Sequence, residues 1–183
     1  ATRVNASQLI EKGRENLFTY SNTFSDNSWL KADTSVTVGQ AGYDGTNDAW
    51  LLNIISSTGF QTIRKQSISY SGINTFSFYA KAGTLSWLRV RVGAVNIYFD
   101  IGNGVIGNTD LSIGASIEAS GNGYYRCIIP IEGAGSVFYI YPASADGNVS
   151  QSSGNLYIQD AQWEQSLVAT PYIETGASTA QAG

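Results

Sequence analysis

The sequence contains no histidine and no methionine, and it has one cysteine among 183 residues. The absence of histidine excludes Ser-His and Cys-His nucleophiles and the usual histidine-containing zinc sites. Cys127 lies in the apolar run RCIIPI at a position predicted to face inward, where a thiol is a small core side chain and not a nucleophile. The remaining enzymatic routes are carboxylate chemistry and Tyr/Arg chemistry.

Charge is also scarce. Charged residues make up 13% of the chain, and the net charge of −4 and pI near 4.6 leave no basic excess to neutralise phosphates. We therefore predict no nucleic-acid partner. The sequence has no apolar run long enough to span a bilayer and no secretory signal, which predicts no membrane insertion. Because it begins at Ala1, we expect it to be a segment of a longer protein.

Glycine, by contrast, is abundant, with 20 residues scattered singly between short alternations of apolar and polar residues. This pattern predicts roughly ten short strands separated by turns, and no convincing amphipathic helix. The expected fold is an all-β antiparallel β-sandwich with jelly-roll topology. We assign residues 1–15 to an N-terminal arm or linker, residues 16–173 to the jelly roll and residues 174–183 to a C-terminal linker.

The clearest alternation runs from residue 74 to residue 101, in three runs separated by glycine-bearing turns. It predicts a meander of three neighbouring strands. A shorter run with Arg64 and Lys65 is predicted to be an edge strand whose charges discourage edge-to-edge pairing. The inward positions of the meander are Phe76, Phe78, Ala80, Leu88, Val90, Val92, Val95, Ile97, Phe99 and Ile101.

The opposite side of these runs carries aromatic and arginine side chains, an unusual set to expose to water. Aromatic rings stack on the C–H faces of sugars and arginine pairs with carboxylates or sulfates, but both residue types also mark protein interfaces. The alternatives are a glycan site, contact with a neighbouring chain, or a phase error of one residue that places some side chains in the core. The candidate ligand-binding residues are Tyr79, Trp87, Arg89, Arg91, Tyr98, Asp100 and Tyr139.

A glycine motif and several carboxylates suggest catalysis at first sight. A turn explains the glycine motif better, and acidic side chains that face solvent explain the carboxylates better. The stretch GNGVIG matches G-x-G-x-x-G, yet no predicted helix follows to hold a dinucleotide, so we interpret it as a β-turn. A glycosidase needs two carboxylates across a cleft. Asp100 has no partner on its predicted face, while Asp160 and Glu164 share one face of a strand. We predict that the chain is not an enzyme.

Four stretches together resemble a module found in many tailed-phage fibre, tailspike and other virion proteins. They are NLFTYSNTFSDNSWLK, TFSFYAKAG, GNGYYRCIIPI and YIQDAQWEQSLVATPYIETGAST, and they cover nearly the whole chain from about Ile10 onward. The resemblance implies a jelly roll akin to carbohydrate-binding modules and concanavalin-like sandwiches, within a longer phage or prophage protein. Arg126 is interpreted as an intra-sheet hydrogen-bond donor.

The first and last of these stretches also resemble the outer strands of xylan- and glucan-binding modules. Those modules often hold a structural calcium there, and oxygen ligands from loop aspartates would suffice for one. Gln159 and Asp160 stand where many such modules have paired acids, and loop aspartates more often form turns. The candidate ligands for a structural Ca²⁺ are Asp26, Asp48 and Asp160.

We therefore expect a non-catalytic carbohydrate-binding module of a phage virion or tail-fibre-like protein, located on the virion or outside the cell. Its expected partner is a cell-surface or extracellular polysaccharide. The alternative is a structural module that decorates a fibre or mediates oligomerisation with other fibre chains, a homotrimer being one candidate assembly. A polysaccharide lyase or hydrolase is disfavoured by the missing histidine and the unpaired acids.

Overall fold

The computed structural model describes residues 2–4, 10–110 and 114–182, about half of which lie in β-strands. None of the described segments forms an apolar helix of bilayer-spanning length. In chain order the strands are β1 (Thr2–Val4), β2 (Ile10–Lys12), β3 (Glu15–Asn16), β4 (Trp29–Ala32), β5 (Thr34–Gln40), β6 (Ala49–Ile54), β7 (Thr62–Lys65), β8 (Ile73–Ala82), β9 (Trp87–Val92), β10 (Val95–Asp100), β11 (Val105–Thr109), β12 (Ser116–Ala119), β13 (Tyr125–Glu132), β14 (Phe138–Ala143), β15 (Asn155–Glu164) and β16 (Ala180–Gln181).

Two antiparallel sheets of six strands pack face to face. Sheet I has the order β11-β10-β9-β14-β7-β4, and sheet II has the order β12-β13-β8-β15-β6-β5. Between β4 and β15 the chain crosses repeatedly from one sheet to the other, as in a jelly roll. The predicted all-β sandwich is confirmed.

A stack of aromatic rings joins the two sheets at their centre. Phe76 of β8 stacks on Phe138 of β14 with ring centroids 5.5 Å apart, and on Trp163 of β15 with centroids 5.7 Å apart. The Phe18 ring, which precedes β4 in the chain, packs against all three of these rings. The inward positions predicted from residue 74 onward are buried, except that Val95 is half-buried.

The predicted meander is wrong in one respect, because β8 belongs to sheet II while β9 and β10 belong to sheet I. The short connection between β8 and β9 packs on β15, where the Leu85 N–H donates to the Asn155 carbonyl oxygen over 3.0 Å. Alternation gives the phase of each strand but not the sheet it joins. As a result, the outward sides of β8 and β9 lie on opposite surfaces of the sandwich.

The predicted edge strand is also wrong, because β7 lies between β14 and β4. Lys65 points inward and is buried. Its ammonium donates to the Ser28 hydroxyl over 2.6 Å and lies 4.8 Å from the centroid of the Trp29 ring. Burial lowers the pKa of Lys65 to about 8, with the nearby Asp26 carboxylate opposing the shift. Its neighbour Arg64 is therefore on the outer surface of sheet I, away from any edge.

Both terminal segments contain short strands. In the region predicted as an arm, β1 pairs with β2. In the region predicted as a C-terminal linker, β16 pairs with β3. The side chain of Thr175 is buried, and its hydroxyl donates to the Phe18 carbonyl oxygen over 2.5 Å. Residues 175–181 therefore pack on the sandwich.

The alternation along β14 gives a stability prediction. Phe138→Ala should lower the free energy of unfolding by about 3–5 kcal/mol, because it removes a fully buried ring from the central stack. Tyr139→Ala, one residue further on the half-exposed outer side, should cost only about 1 kcal/mol. Denaturant unfolding of both variants measures the difference. Equal losses would contradict the assigned phase of β14.

Candidate functional site

The outer surface of sheet I collects aromatic and arginine side chains from three central strands and β10. Strand pairing aligns Arg64 of β7, Tyr139 of β14 and Arg91 of β9 in one row. A second row aligns Tyr141, Arg89 and Tyr98, and Trp87 lies in a third. We call this surface the aromatic–arginine face, and its residues are Arg64, Trp87, Arg89, Arg91, Tyr98, Tyr139 and Tyr141.

Four side chains of this face, Arg64, Tyr139, Tyr141 and Arg89, lie in contact with one another. Arg64 Nη1 donates to the Tyr139 hydroxyl over 2.7 Å, with the guanidinium 5.3 Å from the ring centroid. Arg89 lies 3.9 Å from the centroid of the Tyr141 ring, within the range of a cation–π contact. The Tyr139 and Tyr141 rings are 5.8 Å apart. These contacts hold the side chains against a rigid sheet.

The exposure of the face is graded. Tyr98 and Tyr141 are buried beneath their neighbours, while Tyr139, Arg64 and Trp87 are half-buried and Arg91 is exposed. Arg89 is half-buried as well. A ligand can therefore contact five side chains of the face: Arg64, Trp87, Arg89, Arg91 and Tyr139.

Two buried polar atoms in this part of the molecule lack hydrogen-bond partners among the described residues. They are Nε of Arg89 and Oε1 of Gln151. Most buried polar atoms in proteins have a hydrogen-bond partner, so these two atoms are free to bond to water or to a ligand.

A groove of about 810 Å³ adjoins the face and is formed largely by residues 57–61 and 144–153. Phe60 is 68% exposed in this groove, and its ring meets that of Tyr141 edge-on at 6.2 Å. Gln151 holds the second loop on β14 by donating to the Pro142 carbonyl oxygen. The groove and the face therefore form one continuous surface. Its hydroxyl-bearing residues are Ser57, Thr58, Ser144, Ser150, Ser152 and Ser153.

Glycine at position 107 makes room for the Trp87 ring. A Cβ atom built on Gly107 would lie 2.6 Å from the Trp87 ring and 2.5 Å from an Asp146 carboxylate oxygen. Contacts this short do not occur, so only glycine fits here without a shift of its neighbours. The Trp87 ring therefore packs directly against the backbone of β11 at Gly107.

Asp100 serves a turn. Its carboxylate accepts hydrogen bonds from the N–H groups of Gly102 and Asn103 and from the Asn103 side chain, over 2.8–3.1 Å. The turn covers the first half of GNGVIG and leads directly into β11, which contains the second half. The predicted turn is confirmed at residues 102–104, and a strand follows it in place of the helix of a dinucleotide fingerprint. Asp100 is buried on the same face as Trp87, but its oxygen atoms are already engaged.

Tyr79 lies on the opposite surface of the sandwich. It is on β8 of sheet II, and the Tyr43 ring covers it in a parallel stack at 3.6 Å. Beside it, Arg126 Nη2 donates to the Ser77 hydroxyl and to the Thr170 carbonyl oxygen, which confirms Arg126 as a donor within the sheet. The outer surface of sheet II is thus covered at this point, and Tyr79 is not part of the aromatic–arginine face.

The candidate metal ligands are divided between two places. Asp26 accepts a 2.7 Å hydrogen bond from the Ser28 N–H, and bonds to Ser28 lower the pKa of its carboxyl, as do Lys65 and Lys31 nearby. Asp48 and Asp160 lie on the sheet II side, where Asp48 accepts from Gln159 Nε2 over 2.6 Å. In the part of the chain that the structure describes, no three His, Cys, Asp or Glu residues form a group that could hold a metal.

Asp160 and Asp48 nevertheless lie close enough to influence each other. Burial raises the pKa of Asp160 to about 7, the hydrogen bond from the Tyr43 hydroxyl opposes this, and the charges of Asp48, Asp44 and Glu174 add to it. A hard cation between Asp48 and Asp160 would relieve this repulsion.

Binding of calcium between these two carboxylates stays a prediction. It should raise the Tm of the native chain but not that of Asp160→Asn, with Asp26→Asn as the matched control.

Sequence reasoning missed several residues of the surface. Tyr141 alternates with Tyr139 in the run FYIYPA, so its pattern already placed it on the same side. The charge of Arg64 favours an edge strand, so the sequence does not place this residue on the surface of a central strand. Phe60 and Gln151 lie in loops, where no periodicity points to a shared surface.

Comparison with known proteins gives a likeness of fold only. No family model matches the chain, and no curated protein matches it. Two solved structures that are similar are the CBM22-1–GH10 modules of Clostridium thermocellum endo-1,4-beta-D-xylanase 10B complexed with xylohexaose, and the enzymatically active domain of tailspike protein 4 of bacteriophage CBA120. Each has a TM-score of 0.43 and 12% identity over 81% of this chain. The match spans 27% of the xylanase chain and 21% of the tailspike chain.

The raised pKa of Asp160 predicts a pH dependence of stability. The unfolded carboxyl titrates near 3.8, so between about pH 4 and pH 7 the folded state binds more protons than the unfolded state. The free energy of unfolding should therefore fall as pH rises through this window. Asp160→Asn should remove this contribution and stabilise the chain more at about pH 8 than at about pH 4.

Asparagine is a suitable replacement because the backbone at position 160 has a φ of 53°, a left-handed conformation that asparagine adopts readily. Its amide oxygen can still accept from the Tyr43 hydroxyl. Denaturant unfolding in the presence of a chelator measures the effect. A stability change in Asp160→Asn that is identical at both pH values would contradict the assigned titration.

Proposed function

We propose that the aromatic–arginine face and the adjoining groove bind a polysaccharide, and that the chain is a non-catalytic carbohydrate-binding module. The observation that carries this proposal is the layered arrangement of Arg64 on Tyr139 and Arg89 on Tyr141, across neighbouring strands and beside an open groove rich in hydroxyl groups.

The side chains suit sugar recognition. A pyranose ring has an apolar C–H face that packs on an aromatic ring, and hydroxyl groups that need hydrogen-bond partners around its edge. Tyr139, Trp87 and Phe60 offer rings that are partly or largely exposed. Serine and threonine hydroxyls and the Gln151 amide line the groove next to Phe60. Both kinds of contact are therefore available on one surface.

The acidic residues near the face support a binding role without catalysis. The Asp100 carboxylate holds a turn. At the β11 side, Asp110 accepts from Asn96 and Asp146 accepts from the Asn108 N–H. Glycoside hydrolysis needs two carboxylates facing each other across the scissile bond, one of them free to give a proton. A polysaccharide turnover that is abolished by Asp100→Asn would contradict the non-catalytic role.

A structural role in a fibre is the second candidate, favoured by the neighbouring apolar side chains of Leu167 and Val168, which are 63% and 64% exposed. Contiguous exposed apolar side chains are a feature of contact surfaces between proteins. In this alternative the chain decorates a phage fibre or assembles with other fibre chains, for example as a homotrimer. Both candidates place it on a virion surface or outside the cell. Light scattering of the purified chain tests the assembly.

Binding should depend on the exposed rings of sheet I. Tyr139→Ala and Phe60→Ala should each weaken the affinity for the bound polysaccharide by roughly three- to tenfold, because each removes a stacking ring. A glycan array identifies the ligand, and calorimetry measures the affinity.

Tyr157→Ala is the matched control. Tyr157 is also half-buried, but it lies on the outer side of sheet II. This variant should bind as the native chain does. If no sugar binds to the folded chain at millimolar concentration, or if Tyr157→Ala weakens binding as much as Tyr139→Ala, the proposal fails.

A further inference from the structure

We infer that the ligand of the aromatic–arginine face is an acidic polysaccharide, whose carboxylate or sulfate groups are bound by Arg64, Arg91 and Arg89. This inference rests on the proposed function of the same face and names the chemical class of its ligand.

The three arginines are arranged at the spacing of the sheet itself. Arg64 and Arg91 stand on either side of Tyr139 in register, two strand spacings apart, which is about 10 Å. Arg89 lies two residues from Arg91 along β9, a distance of about 7 Å between their Cα atoms. Arg64 and Arg91 thus flank the Tyr139 ring, on which a sugar could lie, and Arg89 lies in the next row over Tyr141.

The hydrogen-bonding capacity of these arginines is mostly unused within the protein. Arg64 makes one hydrogen bond, to the Tyr139 hydroxyl, and Arg91 makes one, from Nε to the Gly93 carbonyl oxygen. Arg89 makes no hydrogen bond to the described residues. No described residue forms an ion pair with Arg64, Arg89 or Arg91. A guanidinium has five N–H donors, so each arginine retains donors for an anion.

Two other buried or half-buried cations show the contrast. Lys65 is enclosed by the Thr19 carbonyl oxygen and the Ser28 hydroxyl. Arg126 donates to Ser77 and Thr170 beneath the segment that covers sheet II. These two cations also lie over rings, Lys65 over Trp29 and Arg126 over Tyr79. They differ from the arginines of sheet I in their hydrogen bonds, because each makes two within the fold, whereas Arg64 and Arg91 make one each.

The ring contacts of Arg64 and Arg89 prepare these two side chains for an anion without neutralising them. A guanidinium stacked on a tyrosine keeps its full charge, and its planar edge stays oriented for two parallel hydrogen bonds to a carboxylate or sulfate. A neutral sugar could not use this charge, and covering unpaired guanidinium groups with it would remove their water without a charged replacement.

The net charge of −4 does not oppose this inference strongly. At physiological ionic strength the screening length is about 8 Å, so a bound polymer senses mainly the charges of the face itself. The nearby acids, Asp110 and Asp146, bond at the β11 side, whereas Arg64 lies on β7 at the other side of the sheet. We expect the charged groups of the ligand to lie over the row formed by Arg64, Tyr139 and Arg91.

The test is a glycan array that carries uronate-bearing, sulfate-bearing and neutral glycans, probed with the whole chain. Calorimetry then compares the strongest ligand with its carboxyl-reduced or desulfated derivative, which keeps the same sugar backbone. We expect the hits to be confined to acidic glycans, at least tenfold weaker binding of the uncharged derivative, and affinity that falls as salt is added.

The matched variants are Arg91→Ala, Arg91→Lys and Lys81→Ala. Arg91 is exposed, so its replacement should leave the fold intact, and the melting temperature of each variant is measured to check this. Arg91→Ala should weaken binding of the acidic glycan by roughly tenfold, and Arg91→Lys should restore only part of the loss because an ammonium lacks the planar fork. Lys81→Ala removes one positive charge from the other surface and should have no effect.

The outcomes separate the two proposals. Hits among neutral glycans, or equal binding of the uncharged derivative, would overturn the acidic ligand and leave carbohydrate binding in place. An array without any hit would overturn both. Binding of single-stranded DNA as tight as that of the best glycan would show a general attraction to polyanions and would overturn the acidic polysaccharide as the ligand.

Discussion

The stack of Phe76, Phe138 and Trp163 between the two sheets is the interaction on which the arrangement depends. It fixes Phe138 on the inner side of β14, and the two-residue period of a strand then places Tyr139 and Tyr141 on the outer side. Strand pairing carries the same phase across to β7 and β9, which puts Arg64, Arg89 and Arg91 around these rings. The inward side chains of β7, β9 and β14 thus form part of the core, and the outward side chains of the same strands form the proposed site.

The two outer surfaces of the sandwich differ in what covers them. On sheet II the Tyr43 ring lies on Tyr79, and the chain after β15 packs over Arg126 at Thr170. On sheet I no comparable segment among the described residues lies over Tyr139 or Arg91, which keep part of their surface in solvent. Aromatic and arginine residues occur on both surfaces, but Tyr79 and Arg126 of sheet II are covered by other segments, whereas Tyr139 and Arg91 of sheet I are not.

Much of the fold could be predicted from the sequence because strand phase is a local property. The inward side chains from Phe76 to Ile101, the buried Cys127 and the turn at Gly102 all follow from alternation and turn chemistry over a few residues. The partner strand of each element is set by contacts far along the chain, such as β8 with β13 and β15. For this reason Tyr79 and Trp87 are predicted side by side but lie on opposite surfaces.

The site was accessible to prediction only in part, for the same reason. Trp87, Arg89, Arg91 and Tyr98 come from one continuous hairpin, and alternation alone gathers them. Arg64 and Phe60 join them through the pairing of β7 with β14 and the closure of a loop onto Tyr141. Nothing in the spacing of these residues along the chain indicates that proximity.

The most direct test of ligand binding on sheet I is an NMR titration of the isotope-labelled chain with the strongest acidic oligosaccharide from the array. We expect the backbone amide shifts that change to lie in β7, β9, β14 and residues 57–61. Changes centred on β8 and β15 of sheet II, or no changes at a saturating ligand concentration, would contradict the assignment of the aromatic–arginine face as the binding surface.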